Sequence, residues 1–182
     1  MKKNEQIKIA VFVSGGGTNL QALIDAMGSG VIRHGAIRLV VSNNEGAYAL
    51  RRAEKAGIES VVLSKKDYPT QDAFEEKLIA TLEEKGIELI VLAGFMRILS
   101  EGFTSRYEKR IINVHPSLIP SFCGKGFYGL RVHEAALSYG VKVTGATVHF
   151  VNEIPDGGEI ILPRAVELVS KDILKERKEE KQ

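Results

Sequence analysis

Four short β-rich runs, Ile7–Val13, Ala36–Ser42, Ser60–Leu63 and Ile87–Ala93, constrain the fold of this chain more than any other feature. They are nearly continuous in apolar residues, as strands are when helices cover both faces of their sheet. Amphipathic stretches at Asn19–Met27, Ala47–Ala56 and Gln71–Lys85 lie between them. The last two are followed by Gly57 and Gly86, glycine being the usual residue where a helix ends in a left-handed turn. This β-α-β-α-β-α-β rhythm requires right-handed crossovers, so it predicts an α/β fold with a doubly wound, mostly parallel sheet. In such sheets ligands gather beyond the carboxyl ends of the strands.

The second half changes character. It reads as a short helix near Glu101–Tyr107, a strand Arg110–Asn113 running into a loop with His115, a glycine-rich loop Cys123–Gly129, and a helix from about Leu130 to Tyr139. Val141–Val151 and Glu159–Leu168 alternate β-branched and polar residues on either side of Pro155-Asp156-Gly157-Gly158, which predicts an antiparallel C-terminal extension of the sheet. Ser170–Gln182 is mostly charged and reads as a fraying tail. With no internal repeat or linker, the 182 residues predict one domain: a first half to about residue 93, a second from 94 to 168, and a tail from 169 to 182.

Composition narrows the function classes. A hydrophobic fraction of 44% with 26% charged residues is that of an ordinary soluble globular protein. Twenty-five basic against 23 acidic residues leave a net charge of +2, without the global field expected of a nucleic-acid binder. No window approaches the ~20 apolar residues of a membrane span. The basic Met1–Gln6 leads into a run interrupted by Lys8, so no signal peptide is expected. The lone Cys123 excludes an internal disulfide and a cysteine-based metal cluster, and it fits a reducing compartment, with the cytoplasm as the default location.

Three segments carry candidate chemistry. Ser14-Gly15-Gly16-Gly17-Thr18-Asn19 follows the first strand and opens the first helix, where free amides and the helix dipole favour an anion. It is neither the dinucleotide fingerprint, since Leu20 stands where the third glycine belongs, nor a P-loop. The alternative is a sharp turn capped by Thr18 or Asn19; a small phosphorylated substrate is the stronger reading. Asn113 and His115 sit two apart on an extended segment and so share a face. Asp156, in its glycine turn, can join them. An amide, an imidazole and a carboxylate on one face can hold an oxyanion and relay a proton without a metal or a covalent nucleophile. Each also has a structural reading, Asp156 as an ordinary turn residue above all. His149 can face the site or solvent, His133 lies on a helix, and His34 is in a loop with no evident partner. Cys123 has no nucleophile framework around it, no Gly-x-Ser-x-Gly elbow exists, and no metal-ligand spacing occurs.

Taken together, Ser14-Gly-Gly-Gly-Thr-Asn19-Leu-Gln21, Leu92-Ala-Gly-Phe-Met-Arg97-Ile-Leu99, Ile112-Asn113-Val-His115-Pro-Ser-Leu-Ile-Pro120, Gly145-Ala-Thr-Val-His149-Phe-Val151 and Asp156-Gly-Gly-Glu-Ile-Ile-Leu162 resemble the phosphoribosylglycinamide formyltransferase family. The resemblance runs from about residue 7 to 168 in the right order. It implies a Rossmann-like formyltransferase fold and attack of the glycyl amine of 5-phosphoribosylglycinamide on the formyl group of 10-formyltetrahydrofolate, a dissociable co-substrate, in purine synthesis. By the same resemblance Asn113 and His115 stabilise the oxyanion, His115 donates a proton and Asp156 assists the relay. Gly17, Thr18 and Asn19 match the substrate-phosphate loop of the first half. Met96, Arg97, Ile98 and Leu99, with Asn113, match the folate-binding part of the second. No metal is implied, and the expected partners are the two small-molecule substrates, with no nucleic acid or membrane and the protein a monomer or homodimer.

The sequence departs from the family pattern twice. Gln71 stands where the family usually carries a basic residue for the folate, and the Glu-His-x-x-Tyr-Pro signature of the family's C-terminal helix is absent, so that helix is not expected here. The missing signature favours, as a second reading, a catalytically impaired folate- or nucleotide-binding protein. A third is 10-formyltetrahydrofolate hydrolysis, but the first strand begins at about Ile7 and leaves no room for the N-terminal regulatory domain of the family's hydrolases. Transfer to methionyl-tRNA needs a basic face and an added C-terminal domain, and neither is expected.

Overall fold

The computed structural model describes residues 6–161 and 165–179. One sheet contains β1 (Ile7–Val13), β2 (Gly35–Ser42), β3 (Ser60–Val62), β4 (Leu89–Leu92), β5 (Ile111–His115), β6 (Thr147–Phe150) and β7 (Ile160–Ile161), in the spatial order β3-β2-β1-β4-β5-β6-β7. The first five strands are parallel, and β6 and β7 each run antiparallel to the strand before them. Helices α1 (Thr18–Gly28), α2 (Tyr48–Lys55), α3 (Gln71–Lys85), α4 (Glu101–Arg106), α5 (Leu130–Tyr139) and α6 (Ala165–Glu179) complete the α/β architecture.

The apolar runs are continuous because both sheet faces are covered. Along β1, Ile7, Ile9, Val11 and Val13 face a core completed by Leu20 of α1, Ala49 and Ala53 of α2, and Val166, Val169 and Ile173 of α6. The intervening Ala10 and Phe12 face the opposite core, with Phe74, Leu78 and Leu82 of α3 and Phe103 of α4. The period of two in a strand thus serves two cores at once. Helix ends follow local chemistry: Thr70 Oγ1 accepts the Ala73 N–H at 3.1 Å to open α3, and Gly86 closes it in the left-handed region at φ 63°.

The C-terminal part differs from the expectation. Strand pairing covers only Thr147–Phe150 of the expected 141–151 run, and Val143 in the preceding segment is 75% exposed. Of Glu159–Leu168 only Ile160–Ile161 pairs, residues 162–164 lie outside the described ones, and Ala165 onwards is helical. Nor does the stretch from Ser170 fray through Glu179. Ala165, Val166, Val169, Ser170, Ile173 and Leu174 are buried and recur at helical spacing, so α6 closes a sheet face that would otherwise be wet. Its charged residues obscured that stripe. His115, expected in a loop, is the last residue of β5.

Helix α6 is tied down electrostatically by Glu167. Its Oε2 accepts the backbone N–H groups of Arg33 (2.7 Å) and His34 (3.0 Å), and its Oε1 lies 2.5 Å from His34 Nδ1. Burial pushes the carboxyl upward, but the hydrogen bonds from His34 and Arg33 outweigh it and hold the group below its ordinary value. A depressed carboxyl stabilises the fold above the unfolded-state value of about 4.3 and loses that contribution as pH falls through the folded value. Glu167→Gln is therefore expected to cost about 1–2 kcal/mol at pH 7, and the gap to the parent protein to shrink below about pH 4, in urea denaturation followed across pH. In the same assay Ile173→Ala is expected to cost roughly 2–4 kcal/mol at any pH, since it leaves a cavity against β1.

Candidate active site

The strand order reverses between β1 and β4: the chain winds outward through β2 and β3, then returns to β1's other side. The loops leaving the carboxyl ends of β1 and β4 bound a crevice there, the position where doubly wound sheets bind ligands. A cleft of about 1060 Å³ occupies it. Its walls include Thr18 and Asn19 from the first loop, Met96, Arg97, Ile98 and Leu99 from the second, and Asn113, His115 and Asp156. Gly17 is the exception among the expected residues: it does not line the cleft but shapes it from behind. Its φ of 71° starts α1, and a Cβ there would fall 2.6 Å from Ala49 Cβ.

Neither Thr18 nor Asn19 caps α1, because Gly17 occupies the cap position and offers no side chain. The first-turn amides of α1, which have no intrahelical acceptor, therefore receive no side-chain cap from Gly17, and Thr18 and Asn19 of that turn line the cleft. Helix α2 braces the loop, with Ala49 N–H donating to Gly15 O at 3.0 Å and Arg52 Nε–H to Gly16 O at 2.9 Å. Arg52, which also reaches Gln21 Oε1 at 3.1 Å and stacks over Tyr48, gave no signal in the sequence beyond its place on a helix.

On the other side of the cleft the register of β5 and β6 sets the polar cluster. Asn113 pairs with His149 and His115 with Thr147. His149, left open between site and solvent by sequence, faces the site and is 2% exposed. Its Nδ1–H donates to Phe150 O at 2.7 Å, so its Nε2 accepts from Asn113 Nδ2 at 3.2 Å and fixes which way the amide points. His115, 4% exposed, donates from Nε2 to Phe122 O at 2.8 Å and turns Nδ1 to Asp156 Oδ2 at 3.3 Å. Both ring nitrogens thus face acceptors, and a ring protonated on both satisfies both. Asp156 also accepts the Gly124 N–H at 2.9 Å and lies 3.5 Å from His149 Nε2.

The Asp-Gly-Gly turn is more than a connection. Asp156 has φ 57°, which Asp tolerates better than most residues. A Cβ on Gly158 would sit 1.8 Å from Phe150 O, so only glycine lets the turn close onto β6 and bring the carboxylate to His115. The loop supplying Phe122 O and Gly124 N–H is held by buried Ser117, whose hydroxyl donates to Ser121 O at 2.5 Å, and by Thr147, which donates to Ser117 O at 2.7 Å. Cys123 lies between those two ligands of the cluster. Burial and the nearby Asp156 push its thiol up, which disfavours the nucleophilic thiolate. His133 lines the cleft mouth, whereas His34 serves the Glu167 pair. Among the described residues no group of three or more His, Cys, Asp or Glu is placed to hold a metal, and no helix is long and apolar enough to cross a membrane.

A donor amide, a paired imidazole and a partly buried carboxylate thus meet in one cleft with a glycine loop at a helix start, on a doubly wound sheet. The chain belongs to the formyl transferase family, whose model matches residues 7–181. It is 41% identical over 169 residues to the phosphoribosylglycinamide formyltransferase of Haemophilus influenzae, covering 93% of this chain and 77% of that protein. It is 46% identical over 164 residues to the trifunctional purine biosynthetic protein adenosine-3 of Gallus gallus, covering 90% of this chain but 16% of that much longer relative. Among solved structures, glycinamide ribonucleotide transformylase 1 of Symbiobacterium toebii superposes with a TM-score of 0.85 at 34% identity, covering 93% of this chain and 90% of that one.

If His149 orients Asn113 rather than merely filling space, His149→Phe is expected to lower kcat about tenfold or more while the protein keeps its fold. Steady-state kinetics beside a thermal melt checks this.

Proposed function

We propose that the chain transfers the formyl group of 10-formyltetrahydrofolate to the glycyl amine of 5-phosphoribosylglycinamide, a step of purine biosynthesis. The observation that carries this reading is one cleft whose walls combine an anion loop, an apolar segment and the Asn113–His115–Asp156 cluster. Its volume of about 1060 Å³ leaves room for two extended substrates meeting at their reacting ends. The bacterial relatives are named as formyltransferases, which favours transfer over hydrolysis.

In this reading the amides of Thr18 and Asn19 at the start of α1 hold the substrate phosphate. Met96, Ile98 and Leu99 wall the folate, with Arg97 at the rim. The reaction forms a C–N bond from the amine lone pair while the carbonyl π pair moves onto oxygen. The C–N bond to the folate then breaks as that pair returns. The departing nitrogen gains one proton and the attacking nitrogen loses one, so the proton balance is zero.

The protein's part is electrostatic and positional. Asn113, its amide turned by His149, offers an N–H to the developing oxyanion, and His115 supplies the second donor and the proton when its Nε2–H turns from Phe122 O to the oxyanion. Asp156 compensates the positive charge of a doubly protonated His115 inside a site where an unpaired charge is costly. The Asn113 amide is already oriented before substrate enters, which is what gives such a donor its effect.

His115→Ala is expected to lower kcat at least ~10²-fold, as loss of a positioned acid and oxyanion donor does, with near-normal turnover contradicting the role. Asp156→Asn keeps the shape but removes the charge, and is expected to change the pH–rate profile; the formyl-transfer assay run across pH tests both.

A further inference from the structure

Residues 95–100, between β4 and α4, adopt no regular secondary structure, so their backbone polar groups must find partners elsewhere. The N–H of Met96 donates to Ser14 Oγ at 2.7 Å, and Phe95 packs edge-on to Phe12, the ring centroids 5.2 Å apart. The far end of the segment is held by α3. Glu75 Oε1 accepts the Ser100 N–H at 2.8 Å, and Oε2 accepts a short hydrogen bond from the Ser100 hydroxyl. Gln71, one turn earlier, donates from Nε2 to Glu75 Oε1 at 2.6 Å and lies 3.5 Å from Ile98 O.

Glu75 is 4% exposed and shares the buried face of α3 with Phe74, Leu78 and Leu82. A carboxylate there is costly, and packing alone asks for an apolar side chain. Its three donors come from Ser100, which ends the segment, and from Gln71, which also touches it. Ser100 in turn caps α4, its Oγ accepting the Phe103 N–H at 3.2 Å. One buried carboxylate therefore fixes both the exit of the irregular segment and the start of the next helix.

We infer that Glu75 is a positioning residue for the folate, holding Ile98–Ser100 so that Met96–Leu99 form a wall ready before binding. This rests on the reading that Met96–Leu99 seat the folate. Gln71 belongs to the clamp: a neutral amide donates to Glu75 and reaches Ile98 O, so its function here is to hold the wall. Preorganisation of this kind acts on affinity, because an unclamped segment must be ordered when ligand binds.

The test is Glu75→Gln in the full chain. Calorimetric Kd and steady-state KM for 10-formyltetrahydrofolate are expected to rise roughly tenfold, the loss of a charge-assisted hydrogen bond, with kcat and the KM for phosphoribosylglycinamide changing less than about twofold. Hydrogen exchange at the Ile98–Ser100 amides is expected to speed up. Ser100→Ala added to Glu75→Gln is expected to weaken folate binding by less than the sum of the two single changes. Unchanged folate affinity, or equal weakening of both substrates, overturns the positioning role. Should Glu75→Gln fail to fold, Gln71→Met decides the matter, with a rise of about threefold expected and no change overturning the clamp. Parent protein that binds no 10-formyltetrahydrofolate overturns the functional reading itself, whereas parent protein that binds it as tightly as the variants overturns only the role of Glu75.

Discussion

The constraint on which the structure depends is the placement of β1. It is hydrogen-bonded to β2 on one side and β4 on the other, and from Ile9 to Val13 every side chain is fully buried. A strand in that position must be apolar on both faces, and the chain can reach both neighbours only by winding outward and coming back. The return makes the loops after β1 and β4 adjacent. Their contact is direct, through the Ser14 hydroxyl and the Met96 N–H. The adjacency of the glycine loop and the apolar wall of the cleft is thus a consequence of strand order before any side chain is chosen for chemistry.

The polar cluster depends on the other side of the same sheet. Pairing of β5 with antiparallel β6 places His149 opposite Asn113, and a one-residue slip of β6 would send His149 to the other face. Asp156 comes from a turn that closes on β6 only because Gly158 has no side chain. Two buried imidazoles and a carboxylate would destabilise the fold if they lacked partners. Here Phe122 O, Phe150 O, Gly124 N–H and the Asn113 amide supply partners to all three. Each bond that offsets burial also fixes the orientation of a polar side chain at the cleft.

How much of this was legible in the sequence follows from where each signal lives. Central parallel strands announce themselves as apolar runs, so β1 to β4 and α1 to α3 were readable within a few residues. Asn113 and His115 share a face by their spacing of two, whereas Asp156 read equally well as a turn residue, and only the closure of its turn onto β6 brings it to His115. His149 was not readable, because its orientation depends on the register of β6, whose expected span of 141–151 was longer than the paired Thr147–Phe150. Glu75 looked like one more charge on an amphipathic helix, and only tertiary structure shows it buried against Ser100. His34 lacked a partner in sequence because Glu167 lies on α6, far along the chain.

Helix α6 separates two demands that a sequence signature can conflate. Covering the β1 and β2 face requires only an apolar stripe at helical spacing, and Val166, Val169, Ile173 and Leu174 provide it without the Glu-His-x-x-Tyr-Pro pattern. Binding substrate requires particular polar groups at the cleft, and among the described residues none of those lining it belongs to α6. The cleft is built from segments leaving β1, β4, β5 and β6, together with the start of α5, and its bracing comes from α2, α3 and the Ser117 loop. The cover therefore stabilises the sheet, while the geometry of the site is set by the strand ends and by the hydrogen bonds that hold their loops.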